Sequence, residues 1–574
     1  MKRSVLVLGD DLRSFLSVAR SLGEKGIAVD CCSLDHGAPA LRSRYLKNQY
    51  RFPPYGLDPK AWIRKFISIL DKNRYDLVIP TSDVFILPLM AHADLLASHN
   101  IALPTAAMFT FFYDKRQTRR LAEQVGVPIS RGRGLTGLDT AESLVSRFGL
   151  PLIIKPRRSF DLGVLDNRNQ VFKPKTPGEA RRVLSHMKNR DAYIVEQYFD
   201  GTGVGVSVLA DHGEVLLAFQ HQRVNEPPDG GGSSYRMSVP LDPVLLDRVR
   251  ALCRATALTG VTMFEFKKNM ATGASVLIEV NARFWGSLPL AVWSGVDFPW
   301  HLFRLMTNRE RPGRSPYKTG RYGRNLTADL YYLSMMLGTS RSVYDRVCAL
   351  AGFVSGLANL ALGREKVDAF SFRDPMPFIL EAENIAAQIF RKVLRKLPYH
   401  GAIASYIEKK RMRQVLEKTA SQPLTFVVIC SGNICRSPFG GYLLEKRLKR
   451  TGHGIRVLSC GLIPREGRPC PDHAVSAAAA YDIDMAVHRS VWATDAVLEE
   501  AGLVFVFDEV NQEQLKARGL DLQHKTIQLG TLIGRASIPD PYGGSLDHFK
   551  ETYVRIAQGM DMVEQLAGEY RGNA

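Results

Sequence analysis

In the run Val428-Ile-Cys-Ser-Gly-Asn-Ile-Cys-Arg-Ser-Pro438, Cys430 and Arg436 enclose five residues and Ser437 follows at once. A short loop between an apolar strand and a helix can turn its backbone N–H groups onto a tetrahedral oxyanion, with the helix amino-terminal dipole adding to the field. Here that cradle would be Ser431, Gly432, Asn433, Ile434 and Cys435, with Cys430 at its base as a nucleophile whose thiolate the same field favours. Arg436 offers a planar fork to two phosphate oxygens and to the charge that builds in the transition state. Ser437 can hydrogen-bond the sulfur, and Asn433 can hold the loop in shape. An oxygen leaving phosphorus needs a proton, which Asp540 in Ile538-Pro-Asp-Pro-Tyr542 can supply. A lone thiol is more often a buried core residue. Arg436, Ser437 and Asp540 together outweigh that alternative, because each is a separate part of one mechanism.

A second constellation is spread from Lys115 to Arg283. Asp114-Lys115 precedes a helix, Lys155 ends the strand Leu-Ile-Ile-Lys, and Ile194-Val-Glu196-Gln197-Tyr198 is a strand leaving into a turn. Downstream come Phe264-Glu265-Phe266 and Leu277-Ile-Glu279-Val-Asn281-Ala-Arg283. Two carboxylates on neighbouring strands, with an amide two residues after the second and so on the same strand face, make an oxygen-rich site suited to Mg²⁺. Two lysines from separate elements suit nucleotide phosphates. Each of these residues alone is a weak signal, since most strand lysines and alternating polar positions are simply solvated. Their order carries the inference.

The elements that must hold these residues follow from the hydrophobic pattern. Ser4 to Gly9, Ile27 to Cys32 and Asp76 to Pro80 are buried-type strands separated by helical stretches, which predicts a parallel α/β domain. From about Ala106 a helix and strands at 152–155, 193–196, 204–210 and 215–220 predict a mixed α+β region. Pro227 to Ser234 contains Asp229-Gly-Gly-Gly-Ser233, too rich in glycine to hold one shape. A mostly helical segment follows to Ala420, and Ser421-Gln-Pro423 reads as a linker before a fresh strand. The expected organisation is 1–105, 106–310, 311–422 and 423–574. A length of 574 residues fits three or four folding units, and 45% hydrophobic with 23% charged residues excludes a largely disordered or fibrous chain.

Residues 424 to about 570 resemble a low-molecular-weight protein tyrosine phosphatase, through the loop already described, Ser459-Cys-Gly461, His488-Arg-Ser490, the strand Leu503 to Asp508 with Asn511 after it, and Asp540-Pro-Tyr542. The likeness is greatest to bacterial members associated with exopolysaccharide tyrosine kinases. It implies a cysteinyl-phosphate on Cys430, Asp540 acting first as acid and then as base, and a phosphotyrosine protein, such as a bacterial tyrosine kinase, as substrate. It also implies that Cys435 can pair reversibly with the nucleophile under oxidation, although small-residue packing explains a thiol there almost as well. Arsenate reductases share the loop, but Cys460 and Cys470 do not have the spacing of their relay pair. Ile463 to Gly467 lacks the aromatic residue that flanks the phosphotyrosine ring in eukaryotic members, so ring recognition would rest on Tyr542.

Residues 1 to about 310 resemble the ATP-grasp superfamily preceded by its small α/β domain, with Asp374-Pro-Met-Pro377 in a family-specific extension. The fold class expected is therefore α/β: a pre-ATP-grasp α/β domain, ATP-grasp α+β domains, a helical basic segment and a parallel-sheet phosphatase domain. The resemblance implies ATP and Mg²⁺ as cofactors. Lys115 and Lys155 would contact phosphates, and Glu196, Gln197 and Tyr198 would line the adenine pocket. Glu265, Glu279 and Asn281 would hold the metal, while Arg283 and Arg223 would neutralise the transferred phosphate. The glycine-rich loop would exclude water from a hydrolysable intermediate. After Gly201 no carboxylate stands in Thr202 to Val208, where many members place one for the ribose.

The function expected is thus a bifunctional enzyme: an ligase joining a carboxylate to an amine through an acyl phosphate, and a phosphatase, in surface polysaccharide production or its regulation. The alternative is that the ATP-binding part acts as a kinase or as a regulatory nucleotide-binding module, with the phosphatase as the main activity. The charge suggests a third role. Residues 423–574 hold 16 basic against 18 acidic residues, whereas 1–422 hold 60 against 39, and 301–423 hold 21 against 10. In 381–415, Arg391, Lys392, Arg395, Lys396, Lys409, Lys410, Arg411 and Arg413 alternate with Ile389, Phe390, Val393, Leu394, Ile403 and Ile407, a pattern that fits peripheral contact with an anionic membrane. A solvated or packed helix is the commoner origin of such a pattern. No nucleic-acid signature is present. Eight cysteines without a dense framework and no signal-peptide pattern suggest a cytoplasmic chain, with any membrane contact at the inner face.

Overall fold

Continuous apolar runs such as Val5-Leu-Val-Leu8 and Phe426-Val-Val-Ile429 can bury both faces only inside a parallel sheet covered on both sides by helices. The computed structural model describes residues 3–571 except 36, 164, 166–167, 188, 227–232, 314–315, 340–341, 395–399, 419–423, 452–453 and 519. It places both runs in such sheets. The chain packs into two units, Met1–Glu383 and Asn384–Ala574.

The first unit opens with a four-stranded parallel sheet in the order Leu46–Arg51, Ala28–Ser33, Ser4–Leu8 and Leu77–Pro80. Gly9 ends its central strand with φ +149°, and a Cβ there would lie 2.3 Å from Thr81 Oγ1, so the crossing at this sheet end requires glycine. A three-stranded antiparallel sheet follows, with Tyr193–Gln197 between Gly132–Gly134 and Leu152–Pro156. Helices Ala141–Phe148 and Pro177–His186 cover it through Leu144, Phe148, Ala180 and Leu184.

The largest sheet has seven strands, in the order Ser275–Asn281, Gly260–Lys268, Thr202–Asp211, Glu214–Asn225, Tyr235–Ser238, Tyr322–Arg324 and Glu365–Val367. Its last two strands lie in the segment expected to be helical. They are three residues each, too short to show a period of two, which is why pattern alone does not reveal them. One arginine of this segment is internal, and several of its acids are buried with it or against arginines from elsewhere in the unit. Arg324 is buried against Asp329 and Glu365, Arg236 against Asp368, and Arg20 donates to Asp374 at 2.9 Å. Asp374-Pro-Met-Pro377 thus begins with an anchor into the first sheet's helix Ser14–Glu24.

The second unit has a four-stranded parallel sheet in the order Arg456–Gly461, Thr425–Cys430, Leu503–Val506 and Thr526–Gln528. Helices Arg436–Thr451, Asp472–Ala479 and Leu546–Arg571 supply one layer of the core, and Leu498 and Leu515 pack in the other. The helix His400–Lys418, which precedes the expected linker, belongs to this unit. Met412 and Leu416 are buried in its core, Ser405 donates to the Leu532 carbonyl at 2.7 Å, and Glu408 accepts the Gln528 N–H at 2.8 Å. The expected boundary at Ser421 to Pro423 lies outside the described residues.

Burying two such apolar side chains stabilises a fold by about 3–6 kcal/mol in total. A fragment beginning at residue 423 is therefore expected to melt about 10 °C or more below one beginning at residue 384. Differential scanning calorimetry of the two fragments checks this; equal midpoints would show that the helix is dispensable.

Candidate active sites

Cys430 is the last residue of its strand and Arg436 the first of the following helix. Between them the loop closes on the sulfur: Cys430 Sγ lies 3.0 Å from Ser437 Oγ, and the Asn433 N–H points to Sγ at 3.3 Å. Asn433 adopts the left-handed conformation (φ +50°), tolerable for asparagine because its side chain bonds locally. Its amide donates to Ser437 Oγ at 3.0 Å and Ser459 Oγ at 2.7 Å, and its Oδ1 accepts the Val491 N–H at 2.8 Å. Asn433 and Ser437 are both fully buried, so these bonds are not shared with water.

Arg436 has a buried guanidinium that donates to the Ile538 carbonyl at 3.0 Å and to Asp540 Oδ2 at 2.9 Å, and pairs with Asp508. Asp540 is the exposed partner, its side chain 46% accessible against 1% for Arg436, so it can part from the arginine when an anion enters. Ser431 donates to Gln514 and accepts from Asn511, which fixes the loop's entry. Ile434 packs on the core from a partly buried position, and Cys435 is buried with its carbonyl accepting from Tyr553 at 3.0 Å. Burial, then Asp540, pushes the Cys435 thiol well up. All eight cysteines are free. Tyr542 is exposed beside Asp540.

Three further residues complete this site: Asp508 and His488, which the sequence offered only inside matched stretches and without a role, and Arg468, which it did not single out. Asp508 caps the helix Glu509–Ala517 through the Asn511 N–H and also receives Arg436. His488 has Nε2 3.0 Å from the Asn433 carbonyl and Nδ1 3.0 Å from the Tyr442 hydroxyl; burial lowers its pKa, which favours the neutral ring. Arg468 donates to the Gly432 carbonyl at 2.6 Å. Holding that carbonyl outward turns the N–H of the same peptide, that of Asn433, toward Cys430. Arg468→Met is expected to lower kcat about tenfold by letting this peptide tilt, with a smaller change in KM. Arg468→Lys should recover part of the loss, and steady-state kinetics on an aryl phosphate decides; unchanged kcat in the methionine variant would remove this positioning role. An arginine six residues beyond Leu462 carries no signal of such a role before the fold is known.

In the first unit, Glu265 and Glu279 face each other in register on adjacent strands. Lys115 starts the helix Lys115–Gln124 and reaches Glu279 at 3.1 Å and Ser159 at 2.9 Å. Glu265 pairs with Arg223 and accepts from Asn281 at 3.2 Å; Asn281 Oδ1 in turn accepts from Arg283 at 3.1 Å, and Arg283 donates to Asp83 at 2.9 Å. Burial opposes ionisation of Glu279, but Lys115, then Arg168 and Lys155, outweigh it and hold the carboxyl well below its ordinary range. Six of the expected residues thus form one connected cluster. Its donors, two carboxylates and an amide, are those of a hard cation. Among the described residues no group of three or more His, Cys, Asp or Glu could hold a metal, so an ion here would need that amide or further non-protein oxygens.

Lys155 and Glu196 pair beside this cluster at 2.7 Å, with Arg119 on the other carboxylate oxygen at 2.6 Å and the Ile278 carbonyl 3.1 Å from Lys155 Nζ. Glu196 is therefore buried and fully occupied, while Gln197 is exposed and Tyr198 lies under Lys173. In the glycine-rich loop, 229–232 lie outside the described residues; Ser233 bonds the Asn225 and Tyr235 carbonyls.

Of the basic amphipathic segment, the side chains of 391–400 lie outside the described residues. Ile389, Phe390, Ile403 and Ile407 are exposed. No helix among the described residues is long and apolar enough to cross a membrane.

Residues 425–570 match the family model for low molecular weight phosphotyrosine protein phosphatase, and residues 189–327 that for ATP-grasp in the biosynthetic pathway with Ter operon. Similar curated proteins include the probable low molecular weight protein-tyrosine-phosphatase EpsP of Ralstonia nicotianae, 32% identical over 24% of this chain and 91% of that protein. The phosphatase Etp of Escherichia coli K12 is 31% identical over 22% of this chain and 84% of its own length. Among solved structures, the biotin carboxylase of Campylobacter jejuni aligns with 16% identity and a TM-score of 0.45, over 56% of this chain and 74% of that one. The L-amino acid ligase of Bacillus licheniformis aligns with 14% identity and a TM-score of 0.42, over 56% and 78%.

Proposed function

The chain belongs, through residues 425–570, to the low molecular weight phosphotyrosine protein phosphatase family, and it carries an ATP-grasp region as well; on that premise we propose a bifunctional enzyme that hydrolyses protein phosphotyrosine and joins a carboxylate to an amine at the expense of ATP. The approach of Ser437 and the Asn433 N–H to the Cys430 sulfur carries the phosphatase half. The Cys430 thiolate attacks phosphorus, the S–P bond forms as the P–O bond to the ring breaks, and Asp540 gives its proton to the leaving oxygen. Arg436 exchanges Asp540 for two phosphate oxygens. Asp540 then takes a proton from water, which attacks phosphorus and releases Cys430 with inorganic phosphate. The tyrosine phosphoprotein is one of surface-polysaccharide production, in line with the resemblance to bacterial members associated with exopolysaccharide tyrosine kinases; a bacterial tyrosine kinase fits this role.

For the ATP-dependent half, the connected cluster of Lys115, Glu279, Glu265, Asn281 and Arg283 supports the reading. Glu265, Glu279 and Asn281 would hold Mg²⁺, which when bound supplies charge to the nucleotide phosphates. Lys115 and Lys155 would bind phosphate oxygens, and Arg283, steadied by Asp83, would face the transferred group. A carboxylate oxygen takes the γ-phosphoryl group, ADP leaves, and an amine displaces phosphate from the acyl carbon. Mass spectrometry of products from the full chain carrying Cys430→Ser, with Mg·ATP, carboxylates and amines, tests it. An amide with ADP and phosphate supports the ligase; a stable phosphorylated acceptor would make this half a kinase.

A further inference from the structure

A cavity of about 460 Å³ opens beside the cluster at Glu279 and Asn281, and neither the metal nor the nucleotide assignments use most of its wall. Lys115, Arg157 and Arg158 line it, with Glu279 to Ala282 at the end of the strand Ser275–Asn281. Apolar side chains line it too, beside polar ones that include Asp83, Thr110, Gln117 and Ser159. Leu87 and Met90 come from one face of the helix Asp83–Ala91, Phe109 from the helix Ala106–Phe112, and Phe160 and Leu162 from the segment after Lys155. The strand end Glu196 to Tyr198, expected to meet adenine, does not line this space, so these apolar side chains are not the base's pocket as assigned above.

The cations divide sharply. Lys115 is held by Glu279 and Arg157 by Asp114. Among the described residues, Arg158 has no ion pair or side-chain hydrogen bond, and it is the lining cation left to meet an incoming anion. We propose that this cavity binds an organic acid with an apolar body, the body lying against Leu87, Met90, Phe109, Phe160 and Leu162 and the carboxylate held by Arg158 toward Glu279 and Asn281. This rests on the ligase reading for the direction of the chemistry, in which a carboxylate oxygen bonds the γ-phosphorus, the γ-phosphorus bond to the bridging oxygen breaks, and ADP departs. A sugar acid or polar amino acid placed against those five side chains would leave its hydroxyl or ammonium groups there without hydrogen bonds, which is costly. The acceptor is thus set apart from the sugar acids that a link to polysaccharide would suggest.

The test uses the full chain with Mg·ATP and hydroxylamine, which attacks the acyl carbon, displaces phosphate and leaves a hydroxamate that can be counted. The acids are acetate, 4-phenylbutanoate, glucuronate and glutamate. The expected result is a kcat/KM for 4-phenylbutanoate at least about tenfold above those of acetate and glucuronate. Leu162→Glu should collapse that preference, and Arg158→Gln should lower kcat/KM for both 4-phenylbutanoate and acetate about tenfold while keeping their ratio. A preference for glucuronate or glutamate, or a preference untouched by Leu162→Glu, would overturn the proposal. If no acid yields ADP or hydroxamate, the ligase reading fails, and binding decides the cavity by itself. A rise in melting temperature with 4-phenylbutanoate beside a non-hydrolysable ATP analogue, lost in Arg158→Gln, would sustain the acid site; no rise, or displacement of the analogue, would refute it.

Discussion

Cys430→Ser is expected to abolish aryl phosphate hydrolysis by the second unit, with kcat falling by about four orders of magnitude or more. A serine hydroxyl does not ionise near neutral pH and is a weak nucleophile without a base, and neither Ser437 nor the Asn433 N–H beside it is one. Asp540→Asn should act differently. Losing the proton donor costs about 10² to 10⁴ in rate, and more for phenyl phosphate than for 4-nitrophenyl phosphate, whose leaving group needs the proton less. Affinity for inorganic phosphate should persist or rise, because removing the Asp540 charge frees the Arg436 fork that it now occupies at 2.9 Å. Hydrolysis should survive chelation of metal ions. Stopped-flow and steady-state assays on both substrates check these points; hydrolysis retained in Cys430→Ser would exclude the cysteinyl-phosphate route.

Glu279→Ala and Asn281→Ala are expected to lower Mg-dependent ADP formation about a hundredfold or more while leaving the fold intact. Glu279 is the anion to which Lys115 is tied, and Asn281 links Glu265 to Arg283. The side chains border a cavity, so water can reach the groups left behind, and the penalty of a fully buried orphan charge is softened. Lys115, Arg168 and Lys155 hold the Glu279 carboxyl low after offsetting its burial, so the stability it contributes is fully present above the ordinary carboxylate range and is lost only as pH falls toward its depressed value. Acid-side changes between pH 5 and 7 must then come from other groups. Calorimetry of Mg·ATP binding alongside ADP release decides; wild-type affinity and turnover in both variants would remove these residues from the site.

What the amino-acid order determined was what is local. Cys430, its loop and Ser437 occupy eight consecutive positions between a strand and a helix, so their chemistry and backbone setting are read together, and Asp540 follows from the short motif around it. The alternation Glu279, Val280, Asn281 likewise placed two donors on one strand face. Tertiary structure decided the rest, because pairing across distance depends on sheet register and on which charges lose their water. Glu265 meets Glu279 only through the register of two strands, and Arg283 meets Asp83 across 200 positions. Asp508 and Arg468 acquire roles from where they arrive rather than from what precedes them. A count of charges cannot tell a solvated arginine from Arg324, which is 2% exposed between Asp329 and Glu365 at the joint of two three-residue strands. Nor can an amphipathic stripe reveal its cover: in His400–Lys418, Met412 and Leu416 enter the core while Ile403 and Ile407 stay in solvent, because the neighbouring helix Leu546–Arg571 can reach only one side of the cylinder.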